Sequence, residues 1–327
     1  MPTIIGSIRG LVLAPTLEEV SFAGRKFTVP PTAATDRLET VPQAVVCGFE
    51  WAIAATDLRD LNRRLRLVDE EQRGFAYEGA TMAFTILDTI RGQRTRQLLS
   101  GPGERHIFLA YIGIGFAMAR LPRPLWKKVL PELPSRYHPT MSWLAVDGYG
   151  FDLAYFHTER WVRRQEIPAA YPWQGSSDYF PRAVDQGIGR ALWFVHGADP
   201  ARVAAAVRRF AEYRRADLWS GVGLAAAFAG GCPGEGLAAL RESAGSYRPD
   251  LALGAVFAIK ARTYADFVPP HTALAAQELT GLTVEGATAL ADSTEVEPSG
   301  TGPLPQYEIW RQRIRAHFGQ SRTALAD

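Results

Sequence analysis

Hydrophobic and polar positions are arranged along this chain in two helical styles. In the first, Val203, Val207 and Phe210 fall at i, i+4 and i+7 while Arg202, Arg208 and Arg209 face elsewhere, the pattern of an amphipathic surface helix. In the second, from Leu218 to Ala229, apolar residues run almost all the way round, and such a helix must be covered on every side. Asp199 offers an N-cap and Pro200 suits the first helical position. Gly230-Gly231 and Pro233 end the pair. An outer helix followed by an inner helix is therefore the predicted unit.

The inner pattern recurs as small-x-small followed by Ala, Met, Leu and aromatic residues. Its copies begin at Gly79, Gly113, Gly148, Gly187, Gly221 and a degenerate Ala252, with spacings of 34, 35, 39, 34 and 31 residues. A period in that range marks an array of two-helix units. The predicted fold is all-α, with about six helical hairpins of roughly 34 residues in a curved solenoid or a closed α/α toroid. Glycine inside a helix costs roughly 1 kcal/mol against alanine, so its recurrence needs a reason. Nothing strand-like precedes Gly187 or Gly221, which argues against a dinucleotide fingerprint and for close backbone packing between inner helices.

Less regular units are expected around this pattern. Trp51 to Leu67 and Pro122 to Leu133 read as outer helices, and Thr272 to Leu279 as a closing one. Residues 164–182, rich in proline and followed through Gly175-Ser176-Ser177, read as an insertion of the kind that carries function on repeat scaffolds. Residues 1–42 are expected as an N-terminal arm with Phe22 to Val29 extended, and 43–281 as the helical repeat domain. Residues 282–327 are expected as a flexible connector, rich in Gly, Ser, Thr, Pro and acids up to residue 305, followed by a capping helix over Pro305 to Phe318.

Composition narrows the function. The net charge of +2 over 327 residues gives no bulk reason to expect nucleic acid or an acidic membrane as partner. Cys47 and Cys232 are too few and too far apart for a disulfide framework or a zinc site. The first 20 residues lack the apolar core of a signal peptide. Ile107 to Leu121, the most apolar stretch, is about 15 residues and below spanning length. A cytoplasmic location without membrane insertion is expected. There is no G-x-S-x-G elbow, no His-Glu-x-x-His and no aspartate-rich magnesium cluster. Neither a metal nor a cofactor is expected.

Three phrases carry a family resemblance: Leu17-Glu18-Glu19-Val20-Ser21-Phe22-Ala23, Arg73 through Ala83, and Arg214 through Gly223. They resemble the actinobacterial domain-of-unknown-function 1702 family, whose members include the UnbL-type proteins of enediyne biosynthetic gene clusters. The resemblance implies a place in secondary metabolism beside a polyketide-type assembly enzyme. It implies no catalytic residues.

Polar residues on the otherwise apolar inner helices are the informative exceptions. Asp147 and Asp185 lie before a glycine pair and Glu78 immediately before Gly79, where an acid also suits the helix dipole. Asp152 lies one turn into an apolar helix and needs a partner, Arg163 or Arg164, or else a raised pKa. These four are the candidate catalytic acids. Tyr149, Tyr155, Trp193 and Trp219, with His157 and His196 at equivalent helix ends, are candidate substrate-binding residues. The histidines also suit the negative end of the dipole as structural groups.

Two functions follow. One is a cofactor-independent cyclase or isomerase, acting by acid–base chemistry on an apolar polyene or polycyclic natural-product intermediate in a helical cavity. The other is a non-catalytic repeat protein that carries an intermediate or scaffolds pathway enzymes. A homo-oligomer or a pathway-enzyme partner is compatible with either.

Overall fold

In the computed structural model, which describes residues 15–296 and 304–320, every regular element among those residues is helical. In chain order the α-helices are α1 Leu17–Val20, α2 Ala33–Ala54, α3 Leu58–Leu65, α4 Glu70–Asp88, α5 Arg94–Leu99, α6 Ile107–Arg120, α7 Trp143–Phe156 and α8 Phe180–Val195. They continue as α9 Pro200–Arg209, α10 Glu212–Ala229, α11 Gly234–Ala244, α12 Arg248–Tyr264, α13 Pro270–Thr280, α14 Val284–Thr294 and α15 Gln306–Gln320. None is long and apolar enough to cross a membrane among the described residues.

The two helix styles fall into two layers. The apolar helices α2, α4, α6, α7, α8, α10 and α12 pack in that order, each against the next. Amphipathic α9, α11 and α13 run along the outside in the same sequence. Asp199 caps α9 by accepting hydrogen bonds from the backbone N–H of Ala201 and Arg202, and Val203 and Val207 are buried against the inner layer. On α6, every residue from Ile107 to Met118 is buried.

Glycine sets the distance between inner helices. A Cβ on Gly187 would lie 1.8 Å from the Asp147 carbonyl oxygen, and one on Gly221 would lie 1.9 Å from that of Gln186. A Cβ on Gly148 would meet the Ile112 oxygen at 2.3 Å, and one on Gly113 the Glu78 oxygen at 2.1 Å. In each case the first glycine of one helix sits on the carbonyl just before the first glycine of the previous helix. Gly254 obeys the same relation, since its Cβ would lie 1.9 Å from the Ser220 oxygen. Gly254, and not Ala252, is therefore the α12 residue in register with the earlier glycines.

Several boundaries differ from the sequence expectation. Helix α2 begins at Ala33, inside the expected arm, where Thr32 and Thr35 form a reciprocal cap. It runs through Pro42, which removes one internal hydrogen bond but does not end the helix. Residues 21–26 form a turn, not an extended strand. The expected outer helix from Trp51 divides at residues 55–57, because Asp57 caps a new helix, α3. From Pro122 to Leu133 only a 3-10 turn, Arg123–Lys128, forms between the prolines. The expected connector contains α14, capped by Thr283 and packed on α12 through buried Ala287 and Ala291. The terminal helix forms over Gln306–Gln320 and seats Tyr307, Trp310 and Ile314 in the core.

Candidate functional site

All seven inner helices open onto one cavity, lined almost entirely by apolar side chains. Its empty space, open solvent at the mouth included, is about 1020 Å³. The glycine register explains its lining. Three residues after each first glycine stand Met82, Phe116, Phe151, Arg190, Leu224 and Phe257, and every one of them lines the cavity. Seven residues after stand Arg120, Tyr155, Phe194, Phe228 and Ala261, which line it as well. Arg190 and Arg120 are thus the charged members of two otherwise uncharged rings.

Glu78 lies on the cavity wall, 4% exposed, with no hydrogen bond or ion pair to its carboxyl among the described residues. Gly113 presses against its backbone carbonyl and fixes its place on α4. Burial pushes its pKa up to about 8, although Arg190 pulls the other way. The group is consequently protonated at neutral pH and able to donate a proton.

Beside it lies a buried ion pair. Arg190 Nε is 2.7 Å from Asp147 Oδ1, but neither atom makes a well-aligned hydrogen bond, so the contact is ionic and not directional. The guanidinium sits 5.0 Å above the Phe151 ring. Burial raises the Asp147 pKa against the pull of Arg190. Asp147 does not line the cavity itself; it holds Arg190, which does.

Asp152 also lines the cavity, and its partner is Arg120, not Arg163 or Arg164. Arg120 donates as well to the Phe116 carbonyl at 2.9 Å and stacks on Phe156, with 5.2 Å to the ring centre. Burial raises the Asp152 pKa while Arg120 opposes it. Tyr155 contributes its ring to the cavity, but its hydroxyl is engaged, donating to the Val20 carbonyl at 2.6 Å.

The remaining candidates are not brought to this cavity. Asp185 forms a two-pronged pair with Arg214 at 2.6 and 3.0 Å, and burial pushes its pKa up to about 6 despite that pairing. Trp193 donates to the Gly230 carbonyl at 2.8 Å in the core, and Trp219 is buried there too. Tyr149, His157 and His196 line a separate, solvent-open cleft.

A second polar cluster escaped the sequence reading. Asp217 on α10 accepts from Arg182, Gln186 and Arg311, while Glu308 on α15 accepts from Tyr179, Arg182, Arg311 and Arg315. Burial pushes the Glu308 pKa up, but the three arginines outweigh it and leave the carboxyl below its ordinary value. Its sequence signal was the spacing Glu308, Arg311, Arg315 on the face that also carries Tyr307 and Ile314. That face is buried, and the cluster fastens the terminal helix to the inner layer. No grouping of three or more His, Cys, Asp or Glu that could hold a metal occurs among the described residues.

No curated protein and no solved structure matches the chain. One family model does, over residues 4–318; it is described as a protein of unknown function, DUF1702.

Proposed function

Because the chain belongs to the DUF1702 family, for which no activity is stated, we propose a function from the cavity itself: a cofactor-independent enzyme of secondary metabolism that holds an apolar chain and acts on it through Glu78. The observation that carries this reading is a buried carboxyl with no partner among the described residues, on the wall of an apolar cavity. Stability alone gives no reason to retain it, since an unpaired buried polar group is destabilising. Unpartnered and protonated, it suits a general acid toward an alkene or enol of the guest.

The lining suits an apolar guest, and a polyene is the one proposed. Arg190 and the aromatic side chains Phe116, Phe151 and Phe257 line the same cavity as Glu78. Proton donation by Glu78 would leave a cation on the guest, which aromatic faces stabilise, and cyclisation or isomerisation would return the proton to the Glu78 carboxylate.

The inner helices are proposed to form a curved array that comes close to closing on itself. Support comes from Arg262 at the end of α12, which donates to the Glu71 carbonyl on α4 at 2.9 Å and the Phe228 carbonyl on α10 at 2.7 Å. Arg37 on α2 donates to the Ala229 carbonyl at 3.2 Å and pairs with Glu71. Early and late helices thus meet across one end of the cavity.

Glu78→Gln tests the catalytic role while preserving shape. With a linear conjugated polyene as guest, the variant is expected to melt no lower than wild type, to keep binding and to lose conversion of the chromophore by at least about 100-fold. Equal conversion by both proteins would remove Glu78 from the mechanism. Tight binding with no conversion by wild-type protein would instead support the carrier reading.

A further inference from the structure

A solvent-open cleft of about 1170 Å³ adjoins the cavity, and Phe156 lines both. Arg25 and Arg120 flank the Phe156 ring at 5.0 and 5.2 Å from its centre. Arg25 also donates to the backbone carbonyls of Tyr155 and Phe156. One half-buried aromatic ring therefore separates an apolar space from an aqueous one.

The cleft is strongly basic in a chain whose net charge is only +2. Seven of its lining side chains are Lys or Arg and two are Glu. Four of the cations are matched: Arg160 by Glu166, Arg163 and Arg164 by Glu159, and Arg202 by Asp199. Arg25, Lys26 and Arg209 form no ion pair among the described residues. Lys26 is held at φ 56, a left-handed conformation that side-chain-bearing residues rarely adopt and that concentrates at functional sites. The lining also includes a π-helical turn, Glu159–Arg163, a rare geometry enriched at such sites.

We propose that this cleft binds the phosphate or diphosphate head of a guest whose apolar chain passes Phe156 into the cavity. The inference rests on the cavity reading above. A single carboxylate needs one cation, whereas three unmatched cations around an open cleft suit a multiply charged head; a phosphate monoester carries about −1.5 to −2 at neutral pH. Direct pairing with these side chains would also make affinity depend on salt.

Isothermal titration with decyl phosphate, decanol and inorganic pyrophosphate tests this, at about 50 and 200 mM salt. The proteins are wild type, the double variant Lys26→Gln/Arg209→Gln and the cavity-narrowing Leu224→Trp. Decyl phosphate is expected to bind roughly tenfold or more tightly than decanol at low salt, with the advantage shrinking at high salt. The double variant should lose about tenfold of that advantage and leave decanol binding unchanged, while Leu224→Trp should weaken both chain-bearing ligands. Equal affinity for decyl phosphate and decanol, or indifference to the double variant, overturns the cleft assignment. Pyrophosphate binding that depends on Lys26 and Arg209, with decanol failing to bind, upholds the cleft and removes the cavity reading; binding by neither removes both.

Discussion

At the scale of single residues, protonation and pairing decide which side chains can do chemistry. Glu78, Asp147, Asp152 and Asp185 all lie within inner helices, yet three of them are paired with arginine and one is not. The unpaired one has a pKa of about 8 in the fold against an ordinary 4.5. A carboxyl whose pKa is raised by folding stabilises the fold fully below the unfolded value, and loses that contribution as pH climbs toward the folded one. Wild-type protein should therefore lose a few kcal/mol between about pH 4.5 and 8 that the Glu78→Gln variant retains. Denaturant unfolding of both proteins across that range checks this; parallel curves would show Glu78 ionised throughout. All four acids stand out in the sequence as acids within apolar runs, but only Glu78 and Asp152 line the cavity. Arg190 and Arg120 are not among the candidates that the sequence offers. The glycine register that places both was already present in the copies at Gly187 and Gly113.

At the scale of helices, packing is set by the absence of a side chain. Gly187 is held 1.8 Å, measured from a hypothetical Cβ, from the Asp147 carbonyl. Gly187→Ala would force α7 and α8 apart, and a loss of about 3 kcal/mol or more is expected, or failure to fold. Gly286 on α14 is the control. A Cβ there meets only ordinary contacts, the nearest at 3.5 Å, so Gly286→Ala should stabilise by about 0.5–1 kcal/mol. Thermal melts of both variants check the pair; a benign Gly187→Ala would show that the helices are not in backbone contact. Helix style was legible from periodicity, but helix ends were not. The expected arm ends at residue 42, within α2, and the small residues of α14 bury well without looking hydrophobic.

At the scale of the whole molecule, contacts between distant parts of the chain decide what the array encloses. Arg311 reaches Asp217 across 94 residues of sequence, and periodicity carries no information about pairing over that distance. Removing one member of a buried network leaves its partners uncompensated, so Arg311→Leu should destabilise by about 3–5 kcal/mol. Urea unfolding followed through Trp310 fluorescence measures it; a loss under 1 kcal/mol would show that the network does not hold α15 in place. The central claim concerns the cavity that the inner helices line. A crystal structure of the protein equilibrated with a linear conjugated polyene tests it most directly. Continuous density is expected along the cavity past Phe116, Phe151 and Phe257, with a chain carbon in contact with the Glu78 carboxyl; a collapsed, empty cavity with the polyene bound elsewhere on the surface would contradict it.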